Sequence, residues 1–195
     1  MLRKSVYPVI EGTLNTLASG LHKKGFSPNQ LTLFGLALNL VAGFVYAGGH
    51  FTAGGLLLLL AAMGDMLDGP LARVSGRASK FGAFLDSTVD RYSDIFLFGG
   101  LALYFANAGN SGWVFISLGI IAGSFVTSYA KARAENLIEN CSVGIFERPE
   151  RIIALALASF IPPLRPWLLG LLFLGTNATA LHRILFTQKT LSGKS

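Results

Sequence analysis

Cysteine is nearly absent from this chain. Cys141 is the only one in 195 residues, so no internal disulfide can hold the fold. Charge is scarce as well: charged residues make up 13% of the sequence and apolar residues 52%, which excludes an ordinary soluble domain. No internal repeat or low-complexity segment is apparent. No cleavable signal peptide is evident either, because residues 1–26 lack a small-residue cleavage site after an apolar core, and the N-terminus reads as mature. The net charge of +6 does not point to nucleic acid. The basic residues sit at the ends of apolar runs, where they can face anionic lipid headgroups.

Long apolar stretches with polar ends are what remains. They predict an all-α integral membrane protein, a single domain over 1–195, with six transmembrane helices in a bundle over 28–186. The spans are expected over 28–47, 51–73, 80–106, 112–137, 150–161 and 165–186. Ser27-Pro28 reads as an N-cap followed by proline at the first helical position. Ahead of the bundle, in 1–26, Val6, Tyr7, Ile10, Leu14, Leu17 and Leu21 recur at three- and four-residue steps, flanked by Arg3, Lys4, His22, Lys23 and Lys24. This predicts an amphipathic helix on the membrane interface, and the same spacing also suits a helix packed on the protein itself.

Topology follows from the cations. The turns at 48–50, 107–112 and 162–166 contain only Arg165. The N-terminus, 73–80, 131–151 and 183–194 hold fourteen of the sixteen Lys and Arg, and Arg91 lies inside the third span. The positive-inside rule then places both termini and both basic loops in the cytoplasm, at a cytoplasmic membrane crossed several times.

Against this apolar background, eight residues fall at fixed spacing: Asp65-x2-Asp68-Gly69-x2-Ala72-Arg73-x8-Gly82-x3-Asp86-x3-Asp90. A carboxylate at the centre of a membrane helix costs about 2.5–3.5 kcal/mol on insertion scales, and four would cost on the order of 10 kcal/mol if unpaired. Asp65 and Asp68 share one helix face, and Asp86 and Asp90 share another. The 70–79 connection makes the two helices antiparallel neighbours, so the oxygens are expected to converge. Like charges this close need a counter-ion. Hard dications such as Mg²⁺ or Mn²⁺ suit an all-oxygen set, and no His or Cys lies near enough to suggest zinc. Gly69 lets a ligand approach the backbone, Ala72 keeps that face slim, and Arg73 offers a planar fork for phosphate. Two metals plus an arginine make a clamp for a diphosphate, and a carboxylate at the edge can act as general base. Structural ion pairs with Arg73, Arg77 and Arg91 are the plainer alternative.

This pattern resembles the signature of the CDP-alcohol phosphatidyltransferases, with all eight positions present. The resemblance implies two divalent cations held by Asp65, Asp68, Asp86 and Asp90, and a CDP-lipid such as CDP-diacylglycerol bound at Gly69, Ala72 and Arg73. It implies that Asn29, Thr32 and Ser79 line the nucleotide site. Asp90 would deprotonate the acceptor hydroxyl, which attacks the lipid-side phosphorus as CMP leaves. The lipid would enter sideways between helices, its chains still among membrane lipids, from a site facing the cytoplasm.

The acceptor is the less determined partner. Ser128-Tyr129-x-Lys131-Ala132-Arg133-Ala134-Glu135 closes the fourth span, Glu147-Arg148-Pro149-Glu150-Arg151 opens the fifth, and His182-Arg183 lies in the sixth. Basic side chains at three helix ends favour an acceptor that already carries phosphate over serine or free inositol. The combination resembles the branch of the family that makes phosphatidylinositol phosphate from inositol phosphate. There Ser128, Lys131, Arg151 and Arg183 match residues around the acceptor phosphate. In many such enzymes the connection after the fourth span is glycine-rich, whereas 136–146 holds only Gly144, so glycerol 3-phosphate stands as the alternative acceptor. From another class, a divalent cation carrier could line its path with the same aspartates. Gly119-x3-Gly123 fits either close helix packing or a homodimer face.

Overall fold

The computed structural model describes residues 2–193, with side chains described from 11 onward, and every regular element in that range is helical. The side chains of Arg3, Lys4, Val6, Tyr7 and Ile10, and Lys194, thus lie outside the described residues. The elements are α1 (Leu2–Lys23), α2 (Pro28–Ala47), α3 (Phe51–Val74), α4 (Lys80–Asn107), α5 (Ser111–Ala134), α6 (Arg148–Phe160), a 3-10 turn (Pro162–Leu164) and α7 (Arg165–Ser192). The chain divides into two compact units, Met1–Gly100 and Leu101–Ser195.

Local signals set the helix starts. Ser27 closes a reciprocal capping box at α2. Its Oγ accepts from Gln30 N–H at 3.3 Å, and the Gln30 side chain accepts from Ser27 N–H at 2.9 Å. Asn110 caps α5, accepting from Trp113 N–H at 3.4 Å. Several ends differ from expectation. α3 runs through Pro70 to Val74, so the connection to α4 is the short stretch 75–79. α5 stops at Ala134 rather than 137, because Ile138 and Cys141 fold back and bury with Ala134 in a cluster that Val143 and Phe186 cover. α7 continues past 186 to Ser192.

Glycine sets the packing in the first unit. α1 and α2 both pack on α3, with Leu14 and Ala18 of α1 buried. The packed reading of the N-terminal helix therefore applies along this face, while Leu17 stays half exposed. The fully buried Tyr46 ring lies over Gly54 of α3, where a Cβ would stand 2.7 Å from the ring. α2 and α4 meet backbone to backbone: a Cβ on Gly43 would overlap the Phe96 carbonyl, and one on Gly100 would overlap Gly43 itself. Small residues that bring backbones together are the usual means of joining membrane helices.

The second unit is built on α5 against α7, with α6 also on α7. Gly119 accommodates the Phe173 ring, and Gly123 accommodates Thr176 and Asn177. Asn177 Nδ2 donates to the Gly119 carbonyl at 3.1 Å, and Thr127 Oγ1 to the Thr176 carbonyl at 2.9 Å. The Gly119-x3-Gly123 motif is thus used for close helix packing inside the chain.

Among the described residues, four helical stretches are long and apolar enough to cross a bilayer: Pro28–Ala47, Phe51–Val74, Ser111–Ala134 and Pro162–Ser192. α4 has the length but carries Lys80, Asp86, Asp90 and Arg91 in its first half and Asp94 just beyond it. α6 has 13 residues. At 1.5 Å per residue it reaches about 20 Å, short of a hydrocarbon core of about 30 Å.

Candidate active site

The first unit carries the aspartates. All four are half-buried. Thr32 of α2 donates to Asp68 Oδ2 at 2.9 Å. The Thr32 hydroxyl is shared with the Pro28 carbonyl at 3.1 Å and is buried, so its direction is fixed. Asp86 of α4 and Asp65 both act electrostatically on Asp68, which puts α3 and α4 carboxylates within each other's field. Asp65 presses on α2 at Gly35, where a Cβ would stand 2.8 Å from its Oδ1. Asp90 Oδ2 lies 3.6 Å from Arg91, whose NH1 donates to the Ser87 carbonyl at 2.5 Å. Asp65 Oδ2 and Asp90 Oδ1 are buried.

The expected convergence of all four carboxylates is only partly drawn. Among the described residues no three His, Cys, Asp or Glu form a group that could hold a metal as they stand. Asp65 and Asp68 both stand against α2, at the Gly35 slot and the Thr32 hydroxyl. The donor chemistry nonetheless fits a hard dication. Every candidate ligand is a carboxylate, and the slot that seats Asp65 exists only because residue 35 has no side chain. Gly35 and its signal were missed in the sequence, although it follows Thr32 by three residues on the same helix face.

The expected nucleotide residues cluster at helix ends of the same unit. Ser79 Oγ accepts from Gly82 N–H at 3.0 Å, capping α4. A Cβ on Gly82 would stand 3.2 Å from Ser79 Oγ and 3.7 Å from Asn29 Oδ1, so Asn29, Ser79 and Gly82 share one spot. Arg73 curls over Gly69, its NH1 3.8 Å from where a Cβ would stand. Ala72 is half-buried beside it.

The second unit holds the expected acceptor residues. Arg183 is only 2% exposed and ties three segments together. Its Nε donates to the Val143 carbonyl at 2.9 Å, NH1 to the Thr127 carbonyl at 2.8 Å, and NH2 to Glu147 Oε1 at 2.8 Å. Lys131 Nζ stands 3.8 Å from the same Glu147 oxygen. Arg151 is buried, with NH1 3.4 Å from the Phe146 carbonyl. Ser128 is half-buried beside Thr127 on α5. Lys131 and Arg183 are therefore brought together, and the acidic residue that joins them was not foreseen.

The sequence model of the CDP-alcohol phosphatidyltransferases matches residues 26–187. A phosphatidylinositol phosphate synthase of Mycobacteroides abscessus is 41% identical over 181 residues, covering 87% of this chain and 82% of its own. An archaetidylinositol phosphate synthase of Pyrococcus horikoshii is 39% identical over 160 residues, 82% of each chain. The Mycobacterium tuberculosis phosphatidylinositol phosphate synthase with CDP-DAG bound superposes with a TM-score of 0.83 at 30% identity, over 89% of this chain and 92% of that one. The same enzyme in complex with manganese and citrate gives 0.82 at 31% identity, over 90% and 88%. All eight signature positions, the all-helical membrane architecture and these matches lead to one assignment: the chain belongs to the CDP-alcohol phosphatidyltransferase family.

Proposed function

We propose that this protein transfers a phosphatidyl group, or a related lipid phosphate, from a CDP-lipid such as CDP-diacylglycerol to a hydroxyl of inositol phosphate, releasing CMP. The reaction class follows from the family. One observation carries the acceptor: relatives covering most of the chain are named synthases of phosphatidylinositol phosphate and archaetidylinositol phosphate. The cations gathered on α5, α6 and α7 suit an acceptor with its own phosphate. The M. tuberculosis structures with CDP-DAG and with manganese support a CDP-lipid donor and a divalent metal here.

In this reading Asp65, Asp68, Asp86 and Asp90 hold two Mg²⁺ or Mn²⁺ ions. Bound there, the ions supply charge neutralisation for the diphosphate and polarise the phosphorus under attack. The chain's own residues do the rest. Thr32 keeps Asp68 aimed, and the Gly35 slot keeps Asp65 in place. Gly69, Ala72 and Arg73 take the diphosphate and cytidine side, and Asn29, Thr32 and Ser79 line the nucleotide. Ser128, Lys131, Arg151 and Arg183 receive the acceptor phosphate. Asp90 accepts the proton of the acceptor hydroxyl, and the hydroxyl oxygen bonds to the lipid-side phosphorus as the bond from that phosphorus to CMP breaks.

The membrane arrangement in this reading is a single domain over 1–195 in the cytoplasmic membrane. It has six spans, an interfacial helix over 1–26, and termini and site on the cytoplasmic side. α4, at 28 residues, is about 42 Å long, more than a hydrocarbon core of about 30 Å, so its first turns with Lys80 and Asp86 stand outside while Asp90, Arg91 and Asp94 lie at the cytoplasmic edge of the crossing part. α6 with the 3-10 turn completes the fifth passage.

Purified protein given radiolabelled CDP-diacylglycerol and Mg²⁺, with inositol phosphate, glycerol 3-phosphate, inositol and serine in parallel, tests this. Labelled lipid product and CMP are expected with inositol phosphate. Product from glycerol 3-phosphate alone would reassign the acceptor, and no CMP with any of them would overturn the reading.

A further inference from the structure

Glu147 opens α6 as its N-cap residue, yet its side chain makes no capping bond to that helix. Instead one oxygen, Oε1, sits between two cations from two other helices: 2.8 Å from Arg183 NH2 on α7 and 3.8 Å from Lys131 Nζ on α5. The two contacts differ in kind. The first is a short charge-assisted hydrogen bond to an arginine that is 2% exposed and pinned by two carbonyls as well. The second is beyond hydrogen-bond range, and the Lys131 side chain is 37% exposed.

We propose that Glu147 is a positioning residue for the phosphorylated acceptor: it fixes Arg183 and parks Lys131, which the acceptor phosphate then takes over. The proposal rests on reading Lys131 and Arg183 as the acceptor-phosphate residues. A phosphate monoester carries about −1.5 to −2 charges against one on a carboxylate, so it outcompetes Glu147 for a loose, exposed ammonium. It does not displace the buried bond to Arg183. Glu147 thereby both orders the pocket and competes with its ligand. It lowers the net charge of the Lys131–Arg183 pair from +2 to +1.

The two roles separate by substitution. Glu147→Gln keeps an oxygen for Arg183 and removes the charge; the KM for inositol phosphate should fall about threefold, the worth of a loose ion pair, with the KM for CDP-lipid unchanged. Glu147→Ala also frees Arg183; the acceptor KM should rise about tenfold or more, the worth of a hydrogen bond to a charged group. If Gln and Ala lower kcat alike and leave the acceptor KM unmoved, Glu147 is a fold residue only and the proposal is overturned. Lys131→Ala is the separate control: an unchanged acceptor KM in that variant would sink the underlying acceptor-pocket reading, whatever Glu147 does.

Discussion

At the scale of single residues, the site depends on side chains that are held and on one that is missing. Thr32 holds Asp68. Asp65 is seated because Gly35 has no Cβ. Gly35→Ala would place a methyl 2.8 Å from Asp65 Oδ1. The obstacle is the end of a side chain, so the carboxylate swings away and the helices stay. Thermal stability should hardly change, while CMP release should fall about 10- to 100-fold, the usual effect of disturbing a residue that orients a metal ligand. Equal turnover in Gly35→Ala and wild type would remove Gly35 from the site. Sequence made the carboxylates legible because acidic residues in apolar helices are conspicuous. Gly35 was not legible, since one glycine among 23 carries no mark of what it faces. Arg183 was singled out for its charge, but its three bonds come from segments more than 30 residues away in the chain, which spacing cannot reveal.

At the scale of helices, starts were more legible than ends. Ser27, Pro28 and Asn110 are local signals, and the chain obeys them. The end of α5 depends instead on Ile138 and Cys141 packing back on Ala134, a tertiary event with no local marker. Helix contacts follow the same logic. Gly99 and Gly100 are indistinguishable in sequence, yet a Cβ on Gly99 meets nothing within 4 Å and one on Gly100 meets the Gly43 backbone. Gly100→Ala should therefore destabilise the detergent-solubilised protein by about 1–3 kcal/mol, as overpacking does, and Gly99→Ala should leave its melting temperature unchanged. Similar melting temperatures for both variants would contradict the close α2–α4 contact.

At the scale of the whole molecule, hydropathy identifies the class and leaves the span count open. Among the described residues, four helices satisfy length and apolarity together. α4 falls short on apolarity because it carries two of the signature aspartates, and α6 falls short on length. Membrane economy and chemistry pull in opposite directions in α4, and the chemistry accounts for the charges kept there. The central claim is that the four aspartates hold dications that grip the diphosphate of a CDP-lipid. Titrating Mn²⁺ into the full-length protein with CDP-diacylglycerol present, followed by electron paramagnetic resonance, tests it most directly. The account predicts two bound ions per chain in the wild type and loss of at least one in Asp68→Asn. The same manganese content in both proteins, or none in either, would contradict it.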